Sequence, residues 1–210
     1  MACDEVLLEA MLRLGQPVVR FYGWTEPAAT FGYFQRYAEV EAMTKLRPLI
    51  RRPTGGGLVP HAADWTYSVI FPPTHPWYSV PATESYQRIH QWIQAAFQKL
   101  DLQTNLATAC QKEIPGQCFA GAERFDLICK GRKIAGAAQR RTRNGLLIQG
   151  SLQPVPPHMS RADWENAFCE VARGRDGLEW VAFEPNIELN QRVDFLVEQK
   201  YSQASYNQKR

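Results

Sequence analysis

An α+β domain, with a mixed and largely antiparallel β-sheet flanked by helices, follows from three features of the sequence. Runs rich in β-branched and aromatic residues cluster in the middle of the chain, helical periodicity flanks them, and no regular β-α-β alternation joins them. A length of 210 residues fits one domain over residues 1–210, with no internal repeat and no marked boundary.

Val6, Leu7, Ala10, Met11 and Leu14 recur at helical spacing and predict a helix over residues 4–14, stopped by Gly15. Residues 18–22 and 29–34 have strand composition, joined through Trp24 and Pro27. A short helix is expected over residues 36–46, a strand over 49–52 and another over 65–71. Residues 72–81 form a proline-rich loop. The longest helix is predicted over residues 83–100, with Tyr86, Ile89, His90, Ile93, Ala96, Phe97 and Leu100 on its apolar side. Residues 101–116 are polar and irregular. Strands follow at 125–130, 133–139 and 145–153. Ser160 is an N-cap candidate for a helix that ends by Gly174. A last helix over residues 187–201 precedes a polar tail expected to fray.

Composition excludes several classes of function. With 45% apolar and 21% charged residues, the chain can bury a core and is not disordered. A net charge of +3 is too small to suggest nucleic-acid binding, but it suits an acidic protein partner. Asp4, Glu5 and Glu9 are unlike a signal peptide, and no apolar run nears the roughly 20 residues that cross a bilayer. A cytoplasmic protein without a membrane partner is therefore expected. The five cysteines include no Cys-x-x-Cys pair and the histidines are scattered, so neither a disulfide framework nor a metal site is expected.

Two stretches concentrate the chemistry. Residues 51–57 read Arg-Arg-Pro-Thr-Gly-Gly-Gly, with His61 close behind. Three glycines serve either a turn or a surface where a ligand approaches bare backbone N–H groups, beside arginines suited to anionic oxygens. The second stretch opens at Lys133 and continues Ile-Ala-Gly-Ala-Ala-Gln. Strand alternation would put Lys133, Ala135 and Ala137 on one face and Ile134, Gly136 and Ala138 on the other. The small residues leave room for a bound chain or a closely packed helix, and Lys133 reads either as chemistry or as a solvated strand end.

In order and spacing, these stretches resemble the lipoate–protein ligase and octanoyltransferase family, whose biotin/lipoate protein ligase-like fold is shared with biotin–protein ligases. Residues 2–10 are similar to its opening helix and residues 20–35 to its first hairpin. Arg51 and the three glycines with His61 resemble its arginine–glycine–histidine motif, residues 133–139 its lysine motif, and residues 147–152 the strand that follows. The resemblance runs over nearly the whole chain.

What the resemblance implies divides by branch. Ligases activate lipoate or octanoate with ATP and Mg as an acyl-adenylate. Transferases need no cofactor: they take an octanoyl group from acyl carrier protein onto a cysteine and pass it to a lysine of a lipoyl domain or a glycine-cleavage H-type protein. Cys118-Phe119, just before Phe125-Asp126-Leu127, resembles the cysteine-bearing segment of one octanoyltransferase branch. On that reading Cys118 is the nucleophile, a thiol facing Lys133, and Lys133 is general base and carbonyl stabiliser. Arg52, Thr54, Gly55, Gly56, Gly57, His61, Gly136 and Ala138 would shape the acyl and carbonyl pocket. The rival readings are a ligase in which Lys133 and Arg52 contact the adenylate and Cys118 is a structural thiol, and a binding module for acylated carriers or lipoyl domains. Cys129, four residues before Lys133, is the competing thiol.

Departures from the pattern accompany it. Ala62 stands after His61 where the family commonly has aspartate, so an acidic role there is expected to be missing. Gln149 replaces a common histidine. The chain is expected to begin directly in the first helix, without a preceding edge strand, and to carry no C-terminal accessory domain.

Overall fold

The first helix, α1 (Ala2–Leu14), ends where Gly15 adopts a left-handed φ of 68° and returns its N–H to the Met11 carbonyl. There follow β1 (Val18–Tyr22), β2 (Ala28–Phe31), α2 (Tyr37–Met43), β3 (Leu49–Arg51), β4 (Val59–His61) and β5 (Trp65–Phe71). Next come α3 (Pro76–Ser79), α4 (Ala82–Gln98), β6 (Asn105–Leu106), β7 (Gln111–Lys112), β8 (Gly121–Ala122) and β9 (Leu127–Cys129). The chain closes with β10 (Arg132–Thr142), β11 (Gly145–Leu152), α5 (Arg161–Asp176), α6 (Ile187–Leu196), a π-helical turn (Val197–Tyr201) and α7 (Ala204–Asn207). This computed structural model describes residues 1–112, 116–176 and 179–209.

Among the described residues the main sheet has six strands in the order β1-β5-β11-β10-β9-β6, every pairing antiparallel. A smaller sheet, β3-β2-β4, contains the parallel pair β2–β3 and makes the architecture mixed, as expected. Alternation on β5 and β11 explains the layering. Tyr67, Val69, Phe71, Leu146 and Ile148 point to one face and pack with Ile89, Ile93 and Phe97 of α4 and Trp164 and Phe168 of α5. Trp92 stacks on Phe168 with ring centroids 4.4 Å apart, and Trp164 meets Phe21 edge-on at 5.3 Å. Each such side chain, fully buried, stabilises the fold by about 1.5–3 kcal/mol. On the opposite face, α1 covers Ile70 and Leu147 with Leu7, Leu8 and Met11. Thr66, Ser68, Gln149 and Ser151 share that face; Thr66, Gln149 and Ser151 line a cleft, and Ser68 is buried against Asp4.

Several expectations are corrected. Residues 20–35 are not a hairpin: β1 pairs with β5, whereas β2 pairs with β3 and β4 in the other sheet. The crossing is pinned by Trp24, whose ring stacks on His61 at 4.0 Å while its Nε1 donates to Thr66. The proline-rich loop contains α3, and the stretch at 101–116 contains β6 and β7, although residues 113–115 lie outside the described residues. Ser160 does cap α5, its hydroxyl accepting the Asp163 amide at 3.0 Å. The described part of the tail packs back onto the domain. Asn207 is buried and accepts the Arg51 amide at 2.9 Å, and the Arg51 guanidinium, itself fully buried, donates to the carbonyls of Asn207, Tyr33 and Gln35 at 3.0, 2.8 and 2.7 Å. A buried cation needs these acceptors, so it holds the tail down. No helix among the described residues is long and apolar enough to cross a membrane.

Two predictions follow from these packings. Asn207→Ala, although close to the end of the chain, should lower unfolding free energy by about 1–3 kcal/mol, because buried backbone and side-chain groups lose partners. Urea denaturation checks it, and an unchanged midpoint would mean the tail is dispensable. The second concerns His90, which is fully buried on α4 and donates from Nδ1 to the Tyr86 carbonyl at 2.9 Å, with no hydrogen-bond partner at Nε2 among the described residues. Burial presses its pKa down from 6.5 to about 4. The unfolded chain therefore binds the extra proton between those values, and stability present above pH 6.5 is lost as the pH falls toward 4. The loss should be on the order of 3 kcal/mol, and His90→Leu should flatten that part of the stability–pH curve.

Candidate active site

The glycine run folds around a buried cation. Arg52 is 4% exposed, and its guanidinium donates to the Gly55 carbonyl at 2.6 Å and the Gly57 carbonyl at 2.8 Å. Gly56 takes a positive φ of 84°, and a Cβ there would lie 2.8 Å from Arg52 Nη2. A Cβ on Gly57 would lie 2.4 Å from the Gly116 carbonyl oxygen. That closeness brings in the cysteine. Leu58 donates to the Gly116 carbonyl at 2.7 Å, and the Cys118 amide donates back to the Leu58 carbonyl at 3.0 Å, a parallel bridge that joins two distant stretches of sequence. Cys118 Sγ then accepts the Gly57 N–H at 3.0 Å. Burial lowers the pKa of Arg52, and its interaction with Cys118 opposes that shift.

Lys133 approaches Cys118 differently from the expectation. Its Nζ donates to the Cys118 carbonyl oxygen at 2.5 Å, not to the sulfur, and lies 2.7 Å from Asp126 Oδ2. Asp126 is fully buried and accepts the Tyr86 hydroxyl on Oδ1 and the Glu123 amide on Oδ2 at 2.6 Å. Burial, then Asp126, raises the Tyr86 phenol well above its ordinary pKa, so the phenol stays a donor. Strand alternation also fails locally. The β9–β10 register shifts between Lys133 and Ala135, and Ile134 and Ala135 both pack into the core. This bulge puts Lys133 with Gly136: a Cβ on Gly136 would lie 2.8 Å from Lys133 Nζ.

The small sheet supplies the third part. His61 Nδ1 lies 2.8 Å from Asp64 Oδ2, and His61 Nε2 lies 2.8 Å from the Thr30 hydroxyl, which also accepts Arg52 Nη1 at 3.4 Å. The same Asp64 oxygen accepts Ser151 at 2.7 Å and Thr66 at 3.0 Å. Burial would raise the Asp64 carboxyl, but the His61, Ser151 and Thr66 contacts together hold it below its ordinary pKa. Position 62 itself carries no acid, and the carboxylate that meets His61 is that of Asp64. Gln149 donates to the buried Asp4 carboxylate at 2.6 Å and accepts the Thr54 hydroxyl at 2.7 Å.

These parts enclose a cavity of about 540 Å³. Arg52, Gly55, Gly56, Gly57, His61, Cys118, Lys133, Gly136 and Ala138 all line it, drawn together from four separate stretches of chain. Thr54 does not line it: its side chain is fully buried behind the wall, against Gln149. Cys129 packs against the main core on β9. Sequence reasoning missed Asp126, Tyr86, Asp64 and Thr30. Asp126 stood within the quoted Phe-Asp-Leu segment, but an isolated aspartate gives no sign of burial.

Fold and site together define a class. The lipoyl protein ligase A/B catalytic domain model matches residues 1–154, and the chain belongs to that family. Among curated proteins, the octanoyltransferase LipM of Staphylococcus epidermidis is 37% identical over 166 residues, covering 72% of this chain and 60% of that protein. LipM of Bacillus subtilis is also 37% identical over 166 residues, 72% of this chain and 59% of that protein. The chain thus spans about 60% of the length of such relatives. Two solved structures share the fold. A lipoate-protein ligase A bound with ATP has a TM-score of 0.78 at 20% identity, covering 99% of this chain and 92% of that one. A bi-partite lipoate protein ligase from Thermoplasma acidophilum, studied with its E2 lipoyl domain, has a TM-score of 0.72 at 18% identity, covering 99% and 91%.

The turn geometry predicts a graded pair of substitutions. Gly56→Val should abolish binding of octanoate while leaving a folded protein, because the side chain strains the backbone and displaces Arg52. Gly57→Ala should separate the turn from Gly116 and raise Cys118 reactivity toward a bulky alkylating reagent at least about threefold, as local opening becomes easier. Normal octanoate binding by the valine variant, measured by calorimetry, would reduce the run to a simple turn.

Proposed function

We propose that the chain is an acyltransferase of lipoate assembly, moving an octanoyl (or lipoyl) group from acyl carrier protein, through a thioester on Cys118, to a lysine of a lipoyl domain or H-type protein. The observation that carries this reading is Cys118 Sγ held on the Gly57 amide at the wall of the cavity, with Lys133 Nζ 2.5 Å from the carbonyl of the same residue. A cavity of about 540 Å³ lies in the size range of small-ligand sites. Residues 1–210 act as one catalytic unit, working in the cytoplasm on two soluble protein substrates.

The steps balance without a nucleotide. The Cys118 thiolate attacks the carrier thioester carbonyl, and the C–S bond to the carrier breaks. The departing carrier thiolate takes a proton from the Lys133 ammonium, which leaves a neutral amine. The acceptor amine then attacks the Cys118 thioester and expels the Cys118 thiolate, and the proton released from the new amide nitrogen returns to Lys133. Lys133 is thus acid in the first half and base in the second. The Gly57 N–H and Arg52 line the region where charge develops on sulfur and oxygen. Asp126 keeps Lys133 aimed at the reacting group.

The test is direct. Mixed with octanoyl carrier protein and no ATP, the protein should gain one octanoyl group in a hydroxylamine-labile adduct on Cys118. Cys118→Ser should lack the thioester, and Lys133→Ala should slow transfer at least about a hundredfold. Lipoyl-domain modification that requires ATP and survives Cys118→Ala would favour a ligase. Binding without modification under either condition would favour a carrier-binding module.

A further inference from the structure

A second cavity, of about 1310 Å³, meets the first at two residues, Phe119 and Lys133, which line both. Cys118 lines only the first. The dividing wall is the Phe119 ring with Lys133 Nζ 4.8 Å from its centroid. The second cavity lies between two sheet margins. Pro60 of β4, the outer strand of the small sheet, lines one side, and Asn105 and Leu106 of β6, the outer strand of the main sheet, line the other. It exceeds the roughly 300–1,000 Å³ of small-molecule sites and suits a protruding protein segment. Of its charged lining residues, Arg132 is exposed, Lys133 is paired with the buried Asp126 carboxylate, and the Asp64 carboxylate is turned away, buried against His61, Ser151 and Thr66. The accessible charge on this wall is therefore the single positive charge of Arg132.

We infer that this second cavity receives the lysine-bearing loop of the acceptor protein, so that acyl chain and acceptor reach the Cys118 thioester through separate openings that meet at Lys133. The inference rests on the proposed transferase reading and adds a docking surface to it. The occupant is a folded domain presenting an exposed lysine with acidic neighbours. Its ε-amine, neutral at attack, adds to the thioester carbonyl past Phe119; the C–S bond breaks, Cys118 leaves as thiolate, and Lys133 takes the amine's proton. The acyl chain stays in the first cavity throughout. Shape and charge complementarity here would set acceptor specificity independently of the donor.

The two half-reactions separate the possibilities. Ala62 is exposed on the wall of the second cavity, so Ala62→Trp should fill space without disturbing the fold, and Arg132→Glu should reverse the wall's charge. In both variants, acyl-enzyme formation from octanoyl carrier protein, followed by intact-mass spectrometry, should stay within about twofold of the parent. Transfer from the isolated acyl-enzyme to an apo lipoyl domain should fall at least about tenfold, with a weakened salt dependence for Arg132→Glu. Deacylation by hydroxylamine, too small to need docking, should be unchanged. Unaltered lipoyl-domain transfer in both variants, or equal losses in both half-reactions, would overturn the inference while leaving the transferase reading in place. Failure of the parent protein to form any acyl-enzyme would remove both.

Discussion

The buried guanidinium of Arg52 is the constraint on which the site depends. Removing a cation from water costs several kcal/mol unless acceptors surround it. Here the acceptors are the carbonyls of Gly55 and Gly57, drawn in from the residues that follow Arg52. With those carbonyls turned toward the cation, the Gly57 N–H is presented to Cys118 Sγ. Gly56 must then adopt its left-handed conformation, and no side chain fits between the guanidinium and the turn. The Thr30 hydroxyl accepts from the other end of Arg52 and continues through His61 to Asp64, so the turn is tied to the small sheet as well.

Two sheets divide the work. The main sheet gives one face to the core under α4 and α5, and its other face partly to α1, over Ile70 and Leu147, and partly to polar residues at the cleft. Asp4 belongs to this polar layer although it comes from α1: it is buried and takes hydrogen bonds from Arg20, Ser68 and Gln149. Burial pushes its pKa up, and the nearby N-terminal ammonium, Arg20, Gln149 and Ser68 together hold it below the ordinary value. A rigid polar wall costs burial energy that a site made only of loops would avoid. It fixes the positions of the groups that face the cavity.

Lys133 owes its position to an irregularity. A regular strand would have carried it to the face of Ala135, which lies in the core. The bulge between Lys133 and Ala135 turns it to the side of Gly136, where Asp126 and the Cys118 carbonyl accept its protons. That position also lies on the wall between the two cavities, so a single ammonium faces both the acyl side and the side from which an acceptor can approach.

By itself, the sequence determined the α+β class and the longer helices and strands, and it singled out the glycine run, Cys118 and Lys133; the short elements α3, β4, β6, β7 and β8 and the place of Thr54 behind the wall were not legible in it. Apolar periodicity, glycine stops and the Ser160 cap are local properties that act through near neighbours, and the arginine–glycine and lysine motifs carry their chemistry in short runs. Only the tertiary structure decided which partners those residues meet. Cys118 reaches Gly57 through a backbone bridge across some sixty positions, and Asp64 is the carboxylate that meets His61. Asp126 became a partner of Lys133, and the polar tail became the acceptor for Arg51, for the same reason. A buried charge takes whatever hydrogen-bonding groups the fold brings within about 3 Å, and sequence separation does not enter that distance.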